Sequence, residues 1–157
     1  MKQEGKLHLL DELDWSILRI LQENSKQTYT EIGHRLDLAH STIYDRIKKM
    51  EESSIIRKYS VVIDPRKAGV KLLTAILTIF TNPKESEKVA QELVRYKEVL
   101  KVFSSLSEEL CIIAEVVAED QEQLHSFIAQ SVAPMPGVLR IRTSIVTRKY
   151  KEETLIL

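Results

Sequence analysis

The sequence predicts an α+β protein with two domains: an N-terminal winged helix-turn-helix domain over residues 1–63 and a C-terminal ferredoxin-like βαββαβ domain over residues 64–157. Between residues 11 and 53, apolar residues recur at helical spacing in three short stretches. After residue 70, four apolar or β-branched runs are interrupted by two amphipathic stretches. Asp64-Pro65 separates the two patterns, because an Asp-Pro pair favours a turn.

The first helix is expected to begin after Asp11, which is a good N-cap residue. Asp14 lies in the first turn, where a carboxylate interacts favourably with the helix dipole. The apolar face of this helix is formed by Leu13, Ile17, Leu18, Ile20 and Leu21. The polar segment that begins at Asn24 ends the helix.

A second short helix is expected after Thr28, because Thr28 and Glu31 have the spacing of a capping box. It would pack through Ile32 and Leu36. Residues 37–40 form a tight connection to the next helix, and three short helices with such a turn predict a helix-turn-helix.

The third helix is expected over residues 41–53, with Ile43, Ile47 and Met50 on one apolar stripe. The opposite side carries groups able to reach base edges and phosphates, namely Ser41, Tyr44, Asp45 and Lys48. A helix in the major groove needs such a mixture. An ordinary amphipathic surface helix shows the same periodicity, so the pattern alone does not establish DNA binding.

Residues 55–63 are β-branched and roughly alternating, which predicts a strand that links the two domains. The second domain is expected to contain, in order, strand 70–80, helix 84–96, strand 99–106, turn 107–109, strand 110–118, helix 120–133 and strand 138–147. Two helices cover only one face of such a four-stranded sheet. The other face needs a partner, so we expect a homodimer packed sheet to sheet.

The charge balance limits the possible functions. Lysine and arginine total 23, as do aspartate and glutamate, so the chain lacks the basic excess typical of nonspecific nucleic-acid binding. Within residues 46–58, however, five side chains are basic and two are acidic. The single cysteine, Cys111, excludes an internal disulfide, and we expect it to be buried in a strand. The N-terminus is polar and no apolar run is long enough to span a membrane, so we expect a cytoplasmic protein with no membrane partner.

Several short motifs follow one another along the chain: Leu10–Asp14, Glu31–Gly33, Arg46–Ile47, Met50–Glu51, Asp64–Gly69, Pro136–Val138 and Arg142–Val146. As an ordered set, they resemble the Lrp/AsnC family of transcription regulators, also called feast/famine regulatory proteins. The resemblance implies operator binding by dimers that often assemble into octamers, and an amino-acid-like effector held between effector domains. The effector site that it implies comprises Leu106, Ser107, Glu108, Glu109, Leu110 and Thr143.

The chain departs from the family pattern at several positions. Serine replaces the family's usual glycine at Ser25, Ser54 and Ser107, and a left-handed serine costs about 1 kcal/mol. Ala39 replaces the serine before the third helix, so we expect Ser41 or Asp37 to cap that helix. In the effector turn, leucine at position 110 replaces the acid that would receive an ammonium group. This substitution argues against sensing of ordinary α-amino acids.

The candidate DNA-binding residues fall into two groups. For base readout we assign Ser41, Thr42, Tyr44 and Lys48. For phosphate contacts we assign Arg46, Lys49, Arg57 and Lys58. Arg46 has an alternative role, pairing with Asp14 or Glu51, and Arg57 and Lys58 could form a solvated strand face. The modest basic patch implies that two or more half-sites bind together on a pseudo-palindromic operator in double-stranded, AT-rich DNA.

The same residues bear on two other possible functions. An architectural protein that coats DNA would need no effector. A siroheme decarboxylase-like enzyme, also known among chains that resemble this family, would need a placed acid or base, and the second domain has only His125. Alternating Arg140 and Arg142 could line a dimer-interface pocket for an anion or carboxylate, or lie on the solvated side of a strand. We expect no catalytic residues, no metal site and no cofactor.

Overall fold

The structure is a computed structural model that describes residues 10–65, 67–106 and 109–151. The chain divides between Val62 and Ile63 into two compact units. The first is helical, with α1 (Glu12–Glu23), α2 (Tyr29–Leu36) and α3 (His40–Glu52). The second contains β1 (Leu73–Thr81), α4 (Ser86–Leu93), β2 (Val99–Leu106), β3 (Leu110–Ala118), α5 (Gln121–Phe127) and β4 (Val138–Ile145). A π-helical turn over Ile128–Val132 extends α5.

The predicted starts of the first two helices are confirmed. Asp11 accepts a hydrogen bond from the backbone N–H of Asp14 at 2.9 Å, and the Asp14 carboxylate accepts one from the N–H of Asp11. Thr28 and Glu31 form the reciprocal pair at the start of α2. These caps satisfy N–H groups that a helix leaves free in its first turn.

The core of the helical unit joins all three helices through fully buried side chains: Ile17, Ile32, Ile43, Ile47 and Met50. The turn between α2 and α3 is tight. Asp37 ends α2 in a left-handed conformation with φ +56°, and the N–H of Leu38 donates to the carbonyl of Gly33 at 2.9 Å. A Cβ added at Gly33 would lie 2.6 Å from the Leu38 carbonyl oxygen, so the turn requires glycine there.

The cap predicted for the third helix is wrong. The N-cap residue is Ala39, which has no side-chain oxygen to accept a hydrogen bond. Ser41 lies inside α3, since the helix already begins at His40, and Asp37 serves to end α2.

Two of the serines at family glycine positions can be compared directly. Ser54 adopts the left-handed conformation with φ +59° just after α3, whereas Ser25 does not. The end of α1 is built differently, because Asn24 is extended and its side chain accepts a hydrogen bond from the N–H of Lys26 at 3.0 Å. Ser107 lies outside the described residues.

The strand predicted over residues 55–63 is wrong as well. Residues 57–64 have no regular secondary structure, and no strand of the described chain pairs with them, so the described part of the helical unit carries no wing strand. Val61, Val62 and Ile63 are each more than 60% exposed. A strand forms only when a neighbour satisfies its backbone groups, and the β-branched composition cannot supply that neighbour.

The βαββαβ order of the second unit is confirmed, with the predicted bounds for β2 and β3. The sheet order is β2-β3-β1-β4, and all pairs are antiparallel. The other elements are shorter than predicted: β1 begins at Leu73, α4 ends at Leu93 and β4 ends at Ile145.

The two faces of this sheet differ. Alternate residues of β1 and β3 pack with α4 and α5 in the core, namely Ala75, Leu77, Ile79, Ile112, Ala114 and Val116. The residues between them, including Ile76, Phe80, Ile113 and Val117, point to the opposite face and are only partly buried. Phe103 on that face is 54% exposed. The prediction that the helices cover one face is thus confirmed.

Candidate DNA-binding surface and effector groove

The outward side of α3 forms a polar surface on a rigidly packed helix. Ser41, Tyr44, Lys48 and Lys49 are exposed and Thr42 is partly buried. The opposite side of the same helix is fixed by the buried Ile43, Ile47 and Met50. Hydroxyl, phenol and ammonium groups therefore project from a backbone that the core holds in place. Arg57 and Lys58, which follow α3, are also exposed.

Tyr29, the first residue of α2, organises the aromatic side chains at the start of α3. Its ring makes edge contacts with the rings of His40 and Tyr44, with centroid distances of 5.8 and 5.6 Å. The Lys48 ammonium lies 5.8 Å from the Tyr44 ring centroid, a cation–π distance. Tyr44 is thus held between α2 and Lys48, while 41% of it remains exposed.

Arg46 does not project freely from α3. Its Nη1 donates to the carboxylates of Asp11 and Asp14, the latter at 3.2 Å, and so ties α3 to the start of α1. This hydrogen bond with Asp11 raises the pKa of Arg46 and lowers the pKa of Asp11. The structure therefore shows the pairing with Asp14 that was the alternative to a phosphate contact, together with a second pairing to Asp11.

Tyr59 joins the segment after α3 to that helix. Its hydroxyl donates to Oε1 of Glu51 at 2.9 Å. Burial, followed by the hydrogen bond to Glu51, raises the pKa of Tyr59 to about 12. The Tyr59 ring also lines a groove of about 420 Å³ beside Tyr29 and His40, next to the candidate DNA-binding surface.

In the second unit, a groove of about 480 Å³ opens where β1 ends and β4 begins. It is lined by Phe80, Thr81, Pro83, Glu109, Leu110, Leu139 and Arg140. The Arg140 guanidinium lies 3.9 Å from the Phe80 ring centroid and its Nη2 donates to Glu109 at 3.1 Å. A bulge after Phe80 shifts the register between β1 and β4, and leaves Leu139 71% exposed at the groove.

Comparison with known families identifies both units. Residues 10–51 match the AsnC-type helix-turn-helix domain, and residues 74–156 match the Lrp/AsnC ligand-binding domain. The chain belongs to the Lrp/AsnC family. It is a DNA-binding transcription regulator of the Lrp/AsnC type, as the resemblance predicted.

Relatives of this Lrp/AsnC regulator match it along most of its length. It is 36% identical to the HTH-type transcriptional regulator FL11 of Pyrococcus abyssi over 145 residues, which cover 92% of this chain and 94% of the relative. It is 31% identical to the regulator LrpA of Pyrococcus horikoshii, over 91% of this chain and all of that one. Its fold matches a transcriptional regulator of Neisseria meningitidis, solved as a complex with L-methionine, with a TM-score of 0.79, 26% identity and coverage of 93% and 95%.

The effector residues that the family resemblance implied do not all meet in the groove. Glu109 and Leu110 line it. Leu106 is 82% exposed and Thr143 pairs with Leu77 farther along β4, so neither is among the lining residues. Ser107 and Glu108 lie outside the described residues.

Sequence reasoning missed Phe80, Thr81, Pro83 and Leu139 in this Lrp/AsnC groove, and Tyr29 beside α3. Phe80 ends a run of apolar character that indicated only a buried strand, and Thr81 lies just beyond that predicted strand. Pro83 was interpreted only as a break after that strand. Their place in a groove depends on the register shift between β1 and β4, which no local pattern indicates.

Cys111 is buried as predicted, with 6% exposure, and His125 is exposed on α5. No group of three or more metal-ligating side chains occurs among residues 10–65, 67–106 and 109–151. Within the same ranges, no helix has the length and apolar character needed to cross a membrane.

Proposed function

We propose that the protein regulates transcription as a homodimer that places one α3 helix in each of two successive major grooves of a pseudo-palindromic, AT-rich operator. The observation that carries this proposal is the division of α3 into a fully buried apolar side and an exposed polar side. Such a helix presents a fixed set of hydrogen-bonding groups to base edges. In keeping with the family, the proposed activity is regulation in the cytoplasm and not catalysis.

The exposed residues suit two different tasks. Tyr44 contacts both Tyr29 and Lys48, and Tyr44 and Lys48 are proposed to read bases together with Ser41 and Thr42. Lys49, Arg57 and Lys58 are proposed to contact phosphates, since they are exposed and lack ion pairs among the described side chains. Arg46 is proposed to act indirectly, because its guanidinium already binds Asp11 and Asp14.

A homodimer is proposed because, within the described sheet unit, α4 and α5 pack against one face of the sheet only. That face combines partly buried aliphatic side chains with the half-exposed ring of Phe103. A second copy of the sheet is a complementary cover, since apolar sheet faces pack against each other about 10 Å apart. Two DNA-binding units in one dimer explain how a chain with zero formal net charge achieves specific affinity. Further assembly into octamers is proposed from the family resemblance.

The first experiment is a footprint on the DNA upstream of the protein's own gene, repeated over a salt series. We expect protected patches about one helical turn apart, with binding that weakens steeply as salt rises. Continuous protection over long stretches would instead indicate a DNA-coating protein. Tight binding of a single half-site by a monomer would contradict the proposed dimer.

Matched variants separate the two tasks on α3. Lys48→Ala or Tyr44→Ala should relax sequence preference, whereas Lys49→Ala should weaken binding to all sequences and reduce the salt dependence by about one ion. Lys88→Ala removes the same charge from α4 and should leave DNA binding unchanged. Equal losses for Lys48→Ala and Lys49→Ala on specific and random DNA would contradict the assignment of Lys48 to base readout.

The second part of the proposal is that a small effector binds the groove beside Glu109 and Arg140 and thereby changes operator affinity. The groove size falls within the range of small-molecule sites, about 300–1,000 Å³. Arg140→Gln should leave operator affinity without effector unchanged but abolish the response to it, as measured by gel shift. A response that persists in this variant would place the effector elsewhere.

A further inference from the structure

We propose that Tyr29 is a positioning residue for base readout by α3. Its ring holds the Tyr44 side chain in one orientation before DNA binds, and this orientation sets how strongly Tyr44 and Lys48 discriminate between DNA sequences. The inference rests on the proposed function, in that it takes the exposed side of α3 as the base-reading surface. It adds a residue outside α3 on which that reading depends.

Tyr44 needs support from outside its own helix. It is 41% exposed, and an exposed tyrosine on a helix can adopt more than one χ1 rotamer, each of which points the ring in a different direction. Lys48 contacts the ring from the same helix, but Lys48 is itself long and exposed and therefore cannot fix the ring. The contact with Tyr29 comes from α2 and can restrict Tyr44 to one rotamer.

Tyr29 is held in place independently of Tyr44. It is the first residue of α2, directly after the N-cap Thr28. The backbone N–H of Thr28 donates to Oε2 of Glu31 at 2.7 Å, and the N–H of Glu31 donates to Oγ1 of Thr28 at 3.2 Å. These bonds fix the backbone at the start of α2. The Tyr29 ring is partly buried against the core of the helical unit, so its side chain is restricted as well.

The geometry of the ring contacts is favourable. The Tyr29 and Tyr44 rings have a centroid distance of 5.6 Å and an interplanar angle of 71°, which places the edge of one ring against the face of the other. The rings of Tyr29 and His40 are similarly arranged, at 5.8 Å and 62°. His40 and Tyr44 lie four residues apart and therefore on the same side of α3. Tyr29 thus contacts two successive turns of the helix on its DNA-facing side.

This arrangement predicts an effect on sequence preference and not on overall affinity. An ordered Tyr44 loses less side-chain entropy when it meets the correct base, so the gain is confined to the preferred sequence. Binding to other sequences depends on phosphate contacts, which Tyr44 does not make in the proposed function. Both contacts of Tyr29 with α3 are made by its ring, so phenylalanine should replace it without loss.

A competition gel shift with the full chain tests these expectations. A duplex selected from a randomised library by the wild type is compared with a shuffled duplex of the same composition. Tyr29→Ala should reduce the ratio of the two affinities about threefold to tenfold, while affinity for the shuffled duplex and its salt dependence stay unchanged. Tyr29→Phe should retain the wild-type ratio. Equal losses in Tyr29→Ala and Tyr29→Phe would overturn the proposal, since they would indicate direct contact by the hydroxyl.

A double-mutant cycle tests whether Tyr29 acts through Tyr44. Tyr29→Ala should lower the affinity ratio in the wild type but should have no further effect in a Tyr44→Ala background. Additive losses would overturn the proposal. Tyr96→Ala is the matched control, because it removes an edge contact of the same kind, with Phe127 at 5.4 Å, from the sheet unit. An equal loss of discrimination in Tyr96→Ala would show a general effect of loosened packing and would also overturn the proposal.

Folding of the variants is checked by Trp15 fluorescence. If Tyr29→Ala is unfolded, Tyr29→Leu replaces it, because leucine retains apolar packing against the core but has no ring edge. The same reduced ratio is expected. Fluorine NMR of the full chain labelled with 3-fluorotyrosine gives a readout without DNA. The Tyr44 signal, assigned with Tyr44→Phe, should shift in Tyr29→Leu, and an unchanged signal would overturn the proposal.

The same measurements separate this inference from the proposed function. Wild-type protein that binds the selected and shuffled duplexes equally would overturn the proposed function, and base positioning by Tyr29 with it. Wild-type discrimination that Tyr44→Ala reduces, but that neither Tyr29→Ala nor Tyr29→Leu changes, would overturn the role of Tyr29 alone and leave the proposed function standing.

Discussion

The two candidate sites differ in how they are built. The base-reading part of the DNA-binding surface lies on one helix, and its residues follow one another between positions 41 and 48. The effector groove joins the end of β1, the start of β3 and the start of β4, which lie up to 60 residues apart in sequence. The first surface needs only α3 and the core under it, whereas the groove needs the whole sheet in the correct register.

This difference determines what disturbs each site. A change in the helical unit should alter DNA contacts through the placement of α3. A change in strand register should alter the groove without changing any residue that lines it. Two single-residue probes report the units separately: the only tryptophan, Trp15, packs against the helical core, and the only cysteine, Cys111, is buried in the sheet.

The largest effect is expected for Gly137→Ala, at the start of β4. Gly137 has φ +93°, and an added Cβ would lie 2.3 Å from the Cβ of Glu85. Combined backbone strain and overlap should destabilise the sheet unit by about 3 kcal/mol. Cys111 should react faster with a thiol reagent, while the unfolding transition reported by Trp15 fluorescence should stay unchanged.

Gly69→Ala is the matched control, because Gly69 has φ +75° but open space around an added Cβ. It isolates the backbone cost from the overlap and should have a smaller effect on Cys111 reactivity. If Trp15 and Cys111 both responded fully to Gly137→Ala, the two units would unfold together and the contrast between the sites would fail.

Gly33→Ala is the corresponding change in the helical unit. The added Cβ would overlap the backbone carbonyl of Leu38 and force α2 and α3 apart, at a cost of about 2 kcal/mol. Chemical denaturation followed by Trp15 fluorescence should show the lower midpoint, and operator affinity should fall with it. Unaltered Cys111 reactivity is expected, and a rise in that reactivity would count against separate units.

Arg46→Met should destabilise the helical unit by about 1–2 kcal/mol, because Asp14 is almost fully buried and loses a charged hydrogen-bond donor. Lys49→Met, a change of the same size on the exposed side of α3, should have no measurable effect on stability. Thermal melting of the two variants at low ionic strength measures the change in stability of each. If Arg46→Met weakened DNA binding at full stability, direct phosphate contact by Arg46 would be the better explanation.

A smaller, pH-dependent effect is expected from Asp11. Its pKa is lower in the folded protein, first because of the hydrogen bond with Arg46, so its contribution is fully present above the ordinary pKa near 4. That contribution is lost as the pH falls through the lowered pKa of the folded state. Asp11→Asn preserves a capping side chain. Its melting temperature should therefore be lower than that of the wild type at pH 7 and equal to it at pH 2. A difference that is constant with pH would contradict the ion pair.

The smallest effect is expected for Ser54→Gly. Ser54 has φ +59°, a backbone conformation that glycine adopts without strain. We expect the relief of this strain to outweigh the greater conformational entropy of the unfolded glycine variant, which raises the free energy of unfolding by about 0.5 kcal/mol. Ser25→Gly is the control, because Ser25 is not left-handed and the change should destabilise slightly. Denaturant midpoints measured by Trp15 fluorescence test both variants. We expect the midpoint to rise for Ser54→Gly and to fall for Ser25→Gly.

The sequence allowed the helical unit to be predicted well because its signals are local. Capping residues and helical periodicity depend on neighbours within four positions, so Asp11, Thr28 and the stripe through Ile43 were recognisable. The strand over residues 55–63 was mispredicted because pairing is not local. The Ala39 cap shows a similar limit, since the start of α3 is set by the turn at Gly33 and not by the best capping residue nearby.

The two candidate sites were predictable to different degrees for the same reason. The exposed side of α3 followed from periodicity once the helix was assigned. The contact of Arg46 with Asp11 depends on how α3 crosses α1, and the contact of Tyr29 with Tyr44 depends on how α2 meets α3. In the groove, Glu109 and Leu110 were anticipated from the family resemblance, but Thr81 and Phe80 required the strand register.

The separation of tasks within α3 bears on how new operator preferences arise. Ile43, Arg46, Ile47 and Met50 maintain the fold, while Ser41, Tyr44, Lys48 and Lys49 lie on the exposed side of the helix, outside its buried core. Substitutions in the second set therefore carry a small folding penalty, and a duplicated copy of this chain can explore new target sequences without first losing its stability. A library randomised at these four positions would be expected to yield mostly folded proteins with altered targets.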